Sequence, residues 1–169
     1  IRVSDRCLLI AGTSYVRSIN DLGSIGFVDD AGSIYYTRRT VKTITTDLTG
    51  RYALNNRMTF NLTARHYWLT SRNKANFTLR DDGFLTATDF IEGIDDNFGA
   101  FNLDLSYTWW FAPASQITVL FRNSAQDYRN DLSQNYGRSF QNLFAENMAN
   151  IFSVSFRYYI DYNAAKNWF

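Results

Sequence analysis

Seven charged side chains, one histidine and a cluster of carboxylates are the residues here with chemistry to offer. Asp47, Arg51, Arg65, Asp104, Arg122, Arg157 and Asp161 all fall on the polar parity of alternating segments. Charges of both signs on one face suit a water-filled lumen that selects solutes. They also suit an ion-pair network that fills a wall, and the interspersed signs favour the network. His66 is the only histidine, on the apolar parity beside Trp68. A general base or a metal ligand needs partners there, so interfacial packing is the expectation. Asp81, Asp82, Asp89, Glu92, Asp95 and Asp96 lack calcium-loop spacing and are split by apolar residues, which describes a solvated loop. Cys7 is the single cysteine, so neither an internal disulfide nor a cysteine metal cluster forms. No catalytic residue, metal site or cofactor is expected.

The elements that position these charges alternate with period two. The clearest is Asn150 to Asn163. Phe152, Val154, Phe156, Tyr158, Ile160 and Tyr162 share one parity, and Ser153, Ser155, Arg157, Tyr159 and Asp161 share the other. A strand this long, aromatic-rich and two-faced is what an antiparallel transmembrane β-barrel requires. A first strand is expected over about Asp5 to Ser18, where Leu8, Ile10 and Val16 share a parity, with Ser24 to Val28 extending its hairpin. A second runs over about Ser33 to Leu54. Asn55 and Asn56 then make a tight turn, since Asn tolerates positive φ. The third strand sets Met58, Phe60, Leu62, Ala64, His66 and Trp68 against Thr59, Asn61, Thr63, Arg65 and Tyr67. The fourth, about Phe98 to Phe111, and the fifth, with Ile117, Val119 and Phe121 outward, flank a turn at Ala112 to Ala114. Ser71 to Asn97 and Ser124 to Asn147 read as long polar connections. That makes six strands.

Composition agrees. Aromatics are 17%, which suits girdles of rings at two membrane interfaces, and the single proline, Pro113, suits strands that must donate to ladders throughout. A net charge of +1 gives no reason to expect nucleic acid. A soluble β-sandwich also alternates, but with shorter strands. Outer-membrane barrels place short turns in the periplasm and long loops outside. The last strand then runs inward and leaves a short periplasmic tail over residues 164–169.

The runs RRTVKTITTDLTGRYALNNRMTFNLTARHYWLTSR, FNLDLSYTWWFAPASQITVLFRNS and NIFSVSFRYYIDYN resemble the C-terminal barrel of a Bacteroidota outer-membrane family. In that family a carbohydrate-binding-module-family-nine-like domain precedes a barrel of unassigned function. The words NNRM, RHYW, FAP and the DYN ending carry most of the resemblance. It implies a Gram-negative outer membrane and a larger parent chain, and it implies no reaction.

The expectation is thus a non-enzymatic barrel protein of the bacterial outer membrane: a channel, a transporter or a platform for glycan capture. The alternative is a barrel subunit of a secretion or assembly complex; a membrane-embedded hydrolase ranks last, because the catalytic constellation is missing. Expected partners are outer-membrane lipid and lipopolysaccharide, strands from the N-terminal remainder or another chain, and further complex subunits. Six strands cannot close a barrel, and an open edge in hydrocarbon leaves unpaired backbone groups. Two more strands from the 20–37 region would be the other route to closure. If the two short turns set the register, Asp47 falls opposite Arg65 and Asp104 opposite Arg122.

Overall fold

The structure is a computed structural model and describes residues 2–28, 32–89, 95–145 and 148–160. The chain forms one antiparallel sheet. Its strands are β1 (Arg2–Ser4), β2 (Cys7–Val28), β3 (Ile34–Asn55), β4 (Met58–Leu79), β5 (Leu85–Thr88), β6 (Asp96–Ala112), β7 (Ser115–Arg129) and β8 (Met148–Arg157). One helix, α1 (Tyr136–Leu143), lies between β7 and β8. Neighbours run β1-β2-β3-β4-β6-β7-β8, with β5 paired to the far end of β4. Among the described residues β8 pairs with neither β1 nor β2, so the sheet is open. Among the described residues no helix is long and apolar enough to cross a membrane.

Each short turn is built by its own residues. Between β3 and β4, Asn55 Oδ1 accepts the backbone N–H of Arg57 at 2.8 Å. This side-chain turn replaces the positive φ expected of Asn55 and Asn56, neither of which adopts it. Between β6 and β7, Pro113 is followed by Ala114 at φ 55°, the proline-then-left-handed order of a type II turn. These turns fix the ladders: Ala53 pairs Thr59 and Asp47 pairs Arg65, while Trp110 pairs Gln116 and Asp104 pairs Arg122.

The ladders sort side chains onto two faces. One carries Ile44, Leu48 and Tyr52 of β3, Phe60 and Leu62 of β4, Leu105 and Tyr107 of β6, Val119 and Phe121 of β7, and Phe152, Val154 and Phe156 of β8. The other carries Thr45, Asp47, Thr63, Arg65, Asp104, Ser106, Thr118 and Arg122. β2 departs from this order. Its even residues Leu8, Ile10 and Val16 stand opposite Arg51, Thr49 and Thr43, so they join the polar face, while Leu9, Ala11 and Tyr15 join the apolar one.

Several segments differ from the sequence expectations. The first strand continues past Ser18 to Val28 through a bulge, where Asn20 takes φ 60°. The described residues of the 20–37 region are thus the far ends of β2 and β3, paired with each other, and not two extra spanning strands. β4 runs on to Leu79 and turns back into β5, so much of the expected Ser71 to Asn97 connection is strand. The expected Ser124 to Asn147 connection holds the end of β7 and all of α1. The last strand ends at Arg157 because its partner β7 begins at Ser115; beyond that, the Tyr159 N–H falls back on the Ser115 hydroxyl at 3.0 Å. Asp161 lies outside the described residues, as does the DYN ending.

Candidate functional site

Six of the seven charges singled out in the sequence stand on the polar face. Arg65 Nε donates to Asp47 Oδ1 at 2.6 Å. Arg122 donates twice to Asp104, from Nε at 2.7 Å and from Nη2 at 2.8 Å. Asp47 faces Arg65 across β3 and β4, and Thr63 faces Asp104 across β4 and β6, so the two pairs alternate along adjacent ladders. Arg51 stands opposite Asn61 and Arg157 opposite Gln116; neither makes an ion pair among the described residues. Tyr67 and Trp110 share this face, and Tyr67 approaches Phe98 at 6.0 Å between ring centroids. The face offers paired charges, hydroxyls and a few rings.

On the opposite face, α1 covers the upper part of the sheet. Asn135 caps the helix by accepting the Arg138 N–H at 3.0 Å. Gly99 of β6 leaves the space the helix fills: a Cβ there would meet Ser139 Oγ at 2.8 Å and Leu143 Cδ1 at 3.6 Å. Phe140 and Phe144 pack on Phe101, with centroids 5.8 and 5.2 Å away. His66 lies beneath, 4.8 Å from both the Tyr136 and Phe140 rings and only 4% exposed. It keeps the apolar parity expected of it but is covered by α1, and neither ring nitrogen has a hydrogen-bond partner. The sequence reading missed this helix, although Asn135 followed by Tyr136, Phe140 and Phe144 was a legible cap and helical stripe.

Above the helix, loop residues Leu132 and Gln134 close a pocket of about 310 Å³ with Arg17, Lys42, Arg72 and Lys74 of the sheet around Trp68. Trp68 Nε1 donates to Asn97 Oδ1 at 2.9 Å, and Asn97 in turn donates to the Gln134 carbonyl at 3.2 Å.

Of the expected acidic loop, Glu92 lies outside the described residues, and three of the carboxylates are each used separately. Asp82 pairs with Arg80 at 2.8 Å, Asp95 accepts the Asn73 N–H at 2.7 Å, and Asp96 accepts the Tyr128 hydroxyl at 2.5 Å. Among the described residues no three potential metal ligands cluster. The Asp96 carboxylate beside it, helped by burial, pushes the Tyr128 phenol up to about 12.

Fold and faces together define an open antiparallel sheet with one charged and one apolar surface. The chain belongs to a family described as a domain of unknown function (DUF5916), which matches residues 1–169. No curated protein and no solved structure shows a significant match to it.

Proposed function

We propose that this sheet is the C-terminal arc of a β-barrel in the bacterial outer membrane. Its apolar face meets lipid and lipopolysaccharide, and its polar face lines the lumen. It works without enzymatic chemistry, as the wall of a channel or transporter or as a membrane platform for glycan capture. The observation that carries this reading is the apolar face below α1, which nothing among the described residues covers. Buried apolar residues among the described ones are limited to Trp68, Ala125 and Leu143, while Phe152, Val154 and Phe156 stay 62–70% exposed. A soluble domain of this length would bury a core of its own. Instead the face has the order of a bilayer. Tyr52, Phe60, Tyr107, Trp109 and Phe111 stand near the short turns, Leu48, Leu62, Leu105 and Val119 follow, and beyond them Tyr15 stays exposed while α1 covers Phe101 and packs against Trp68. Ile44 to Leu54 spans roughly 34 Å along the strand, which at a tilt near 40° covers about 25 Å, the height of an outer-membrane apolar band.

The two free edges support strands from outside these residues. β1 already pairs along β2, with Arg2 opposite Leu8, in the direction a preceding strand would take. Those strands come from the N-terminal remainder of the same polypeptide or from another chain, as in a subunit of an outer-membrane complex. The resemblance to barrels preceded by a sugar-binding-like domain supports the first source and the Bacteroidota setting.

The test is a pair of single-cysteine probes on the whole protein in vesicles. A fluorophore at Leu105 should be quenched by brominated lipid, and one at Ser106 should not. Equal quenching at both would end the membrane reading. Single-channel recording then separates the roles: conductance whose ion selectivity changes in Asp104→Asn supports a channel, and its absence together with co-purifying subunits supports the complex.

A further inference from the structure

We infer that the pocket around Arg17, Lys42, Arg72 and Lys74 holds the phosphate of an anionic lipid headgroup. The inference rests on the membrane reading above. Three observations carry it. First, the cations are placed together by register. Arg17 of β2 stands opposite Lys42 of β3, and Lys42 stands opposite Thr70 of β4. One step further along the same face, Thr40 stands opposite Arg72. Lys74 follows at the β4 bulge that leaves it unpaired between Asn73 and Ala75. Like charges at such spacing repel and hold together best around an anion.

Second, the cations clustered here lack carboxylates, whereas three polar-face arginines, though not Arg51 or Arg157, have them. On the polar face Arg39 pairs with Asp21 at 3.0 Å, Arg65 with Asp47 and Arg122 with Asp104. Among the described residues none that lines the pocket is acidic, and Arg17, Lys42 and Arg72 make no ion pair. Lys74 reaches only the Asn20 side-chain oxygen, at 3.4 Å.

Third, the pocket sits where a headgroup would. Ile44 and Trp68 stand directly opposite each other on the apolar face, and Lys42 and Thr70 are the next pair along that face. Trp68 floors the pocket, 9% exposed, with its N–H committed to Asn97, so its ring is left as an apolar wall. Cations immediately beyond an apolar band, over an aromatic floor, match a phosphate whose acyl chains run down β2 and β3, beside α1 on β4, β6 and β7. A free phosphate would have no use for the band.

The test uses the whole protein in mixed micelles of phosphatidic acid and phosphatidylcholine, with retained lipid quantified by mass spectrometry. The native protein should retain phosphatidic acid preferentially. Each cation near a charged lipid contributes about fivefold, so the Arg17→Ala/Lys42→Ala/Arg72→Ala variant should lower that preference by roughly 100-fold. The single variant Lys42→Glu, at an exposed position that leaves the ladder intact, should lower it as well, and Arg51→Ala on the opposite face should leave it unchanged. A native protein without preference, or a triple variant that keeps it, overturns the inference. Displacement of phosphatidic acid by an equal concentration of inorganic phosphate overturns it too, since the site then reads phosphate without a lipid. The Leu105 probe keeps the two readings apart. Quenching at Leu105 with no phosphatidic acid preference defeats this inference alone, whereas no quenching defeats the membrane reading beneath it.

Discussion

Arg122 and Asp104 meet side by side, through two parallel hydrogen bonds of 2.7 and 2.8 Å, whereas Arg65 reaches Asp47 through Nε alone at 2.6 Å. The difference predicts unequal tolerance of lysine. A guanidinium fork can fill both oxygens of a carboxylate; an ammonium acts as a single point. Arg122→Lys should therefore lower the unfolding midpoint more than Arg65→Lys does. For Asp47 and Arg65, both largely exposed, a double-mutant cycle should return only about 0.2–1 kcal/mol. A larger fall in the midpoint for Arg65→Lys would contradict this reading of the two geometries.

The faces predict opposite responses to charge. Val154 and Ser155 are neighbours in β8 that stand opposite Val119 and Thr118 on different faces. In a bilayer refolding assay, Val154→Arg should cost about 2–4 kcal/mol and Ser155→Arg much less. The same contrast holds for arginine at Phe156, nearer the short turns. Equal costs at Val154 and Ser155 would mean that lipid does not cover the apolar face.

Helix α1 is held by shape and weakened by one polar ring. His66 is buried with both nitrogens unpartnered, and an unsatisfied buried polar group costs about 1–3 kcal/mol. His66→Leu should strengthen hydrogen-exchange protection across residues 136–143. Gly99→Ala should weaken it, since the added methyl meets Ser139 Oγ and overpacking of this kind costs about 1–3 kcal/mol. Unchanged protection in both variants would detach the helix from this part of the sheet.

Ala114 holds a left-handed backbone that glycine adopts freely. Ala114→Gly should stabilise the β6–β7 turn by roughly 1 kcal/mol, the left-handed penalty of an L-residue less the added chain entropy of glycine. Urea unfolding midpoints would measure it. A destabilised variant would reject the turn geometry.

The Tyr128–Asp96 hydrogen bond predicts an alkaline limit. The phenol's value in the fold, about 12, lies above its ordinary value near 10, so the bond's stabilisation is complete below pH 10. It is lost as pH rises toward 12. Tyrosinate absorbance, with Tyr128→Phe as the subtraction, should place this titration high, and Asp96→Asn should bring it back toward 10. An unshifted titration in the native protein would remove the bond.

The lower half of the sheet was legible because hydropathy contrast and turn length both act there. Leu62 beside Thr63, or Leu105 beside Ser106, declares a face, and a turn of fixed length places Asp47 opposite Arg65. Beyond Lys42 and Thr70 both faces are polar. The alternation in Ser71, Arg72, Asn73 and Lys74 carries no contrast, so strand read as loop. Parity alone does not give the face of β2, where Leu8, Ile10 and Val16 share a parity yet register with Arg51, Thr49 and Thr43. Strand pairing, which one strand's sequence does not contain, decided that face. The pocket was out of reach for the same reason: Arg17, Lys42 and Arg72 meet only once three strands are aligned.

Strand length falls across the sheet, from 22 residues in each of β2, β3 and β4 to 17 in β6, 15 in β7 and 10 in β8. By register, Ser71 of β4 stands opposite Asp96, where β6 begins, and Thr70 lies level with Arg129, where β7 ends. At about 3.4 Å per residue, β4 runs on to Leu79 roughly 27 Å past the end of β6 and about 31 Å past that of β7. In the proposed barrel this makes a sloping parapet, with the β2–β4 hairpins standing high over the cell surface and α1 lodged where the wall is low. Anything too large to pass beneath that crest, an antibody or another cell's envelope, would touch those hairpins long before it reached the lumen.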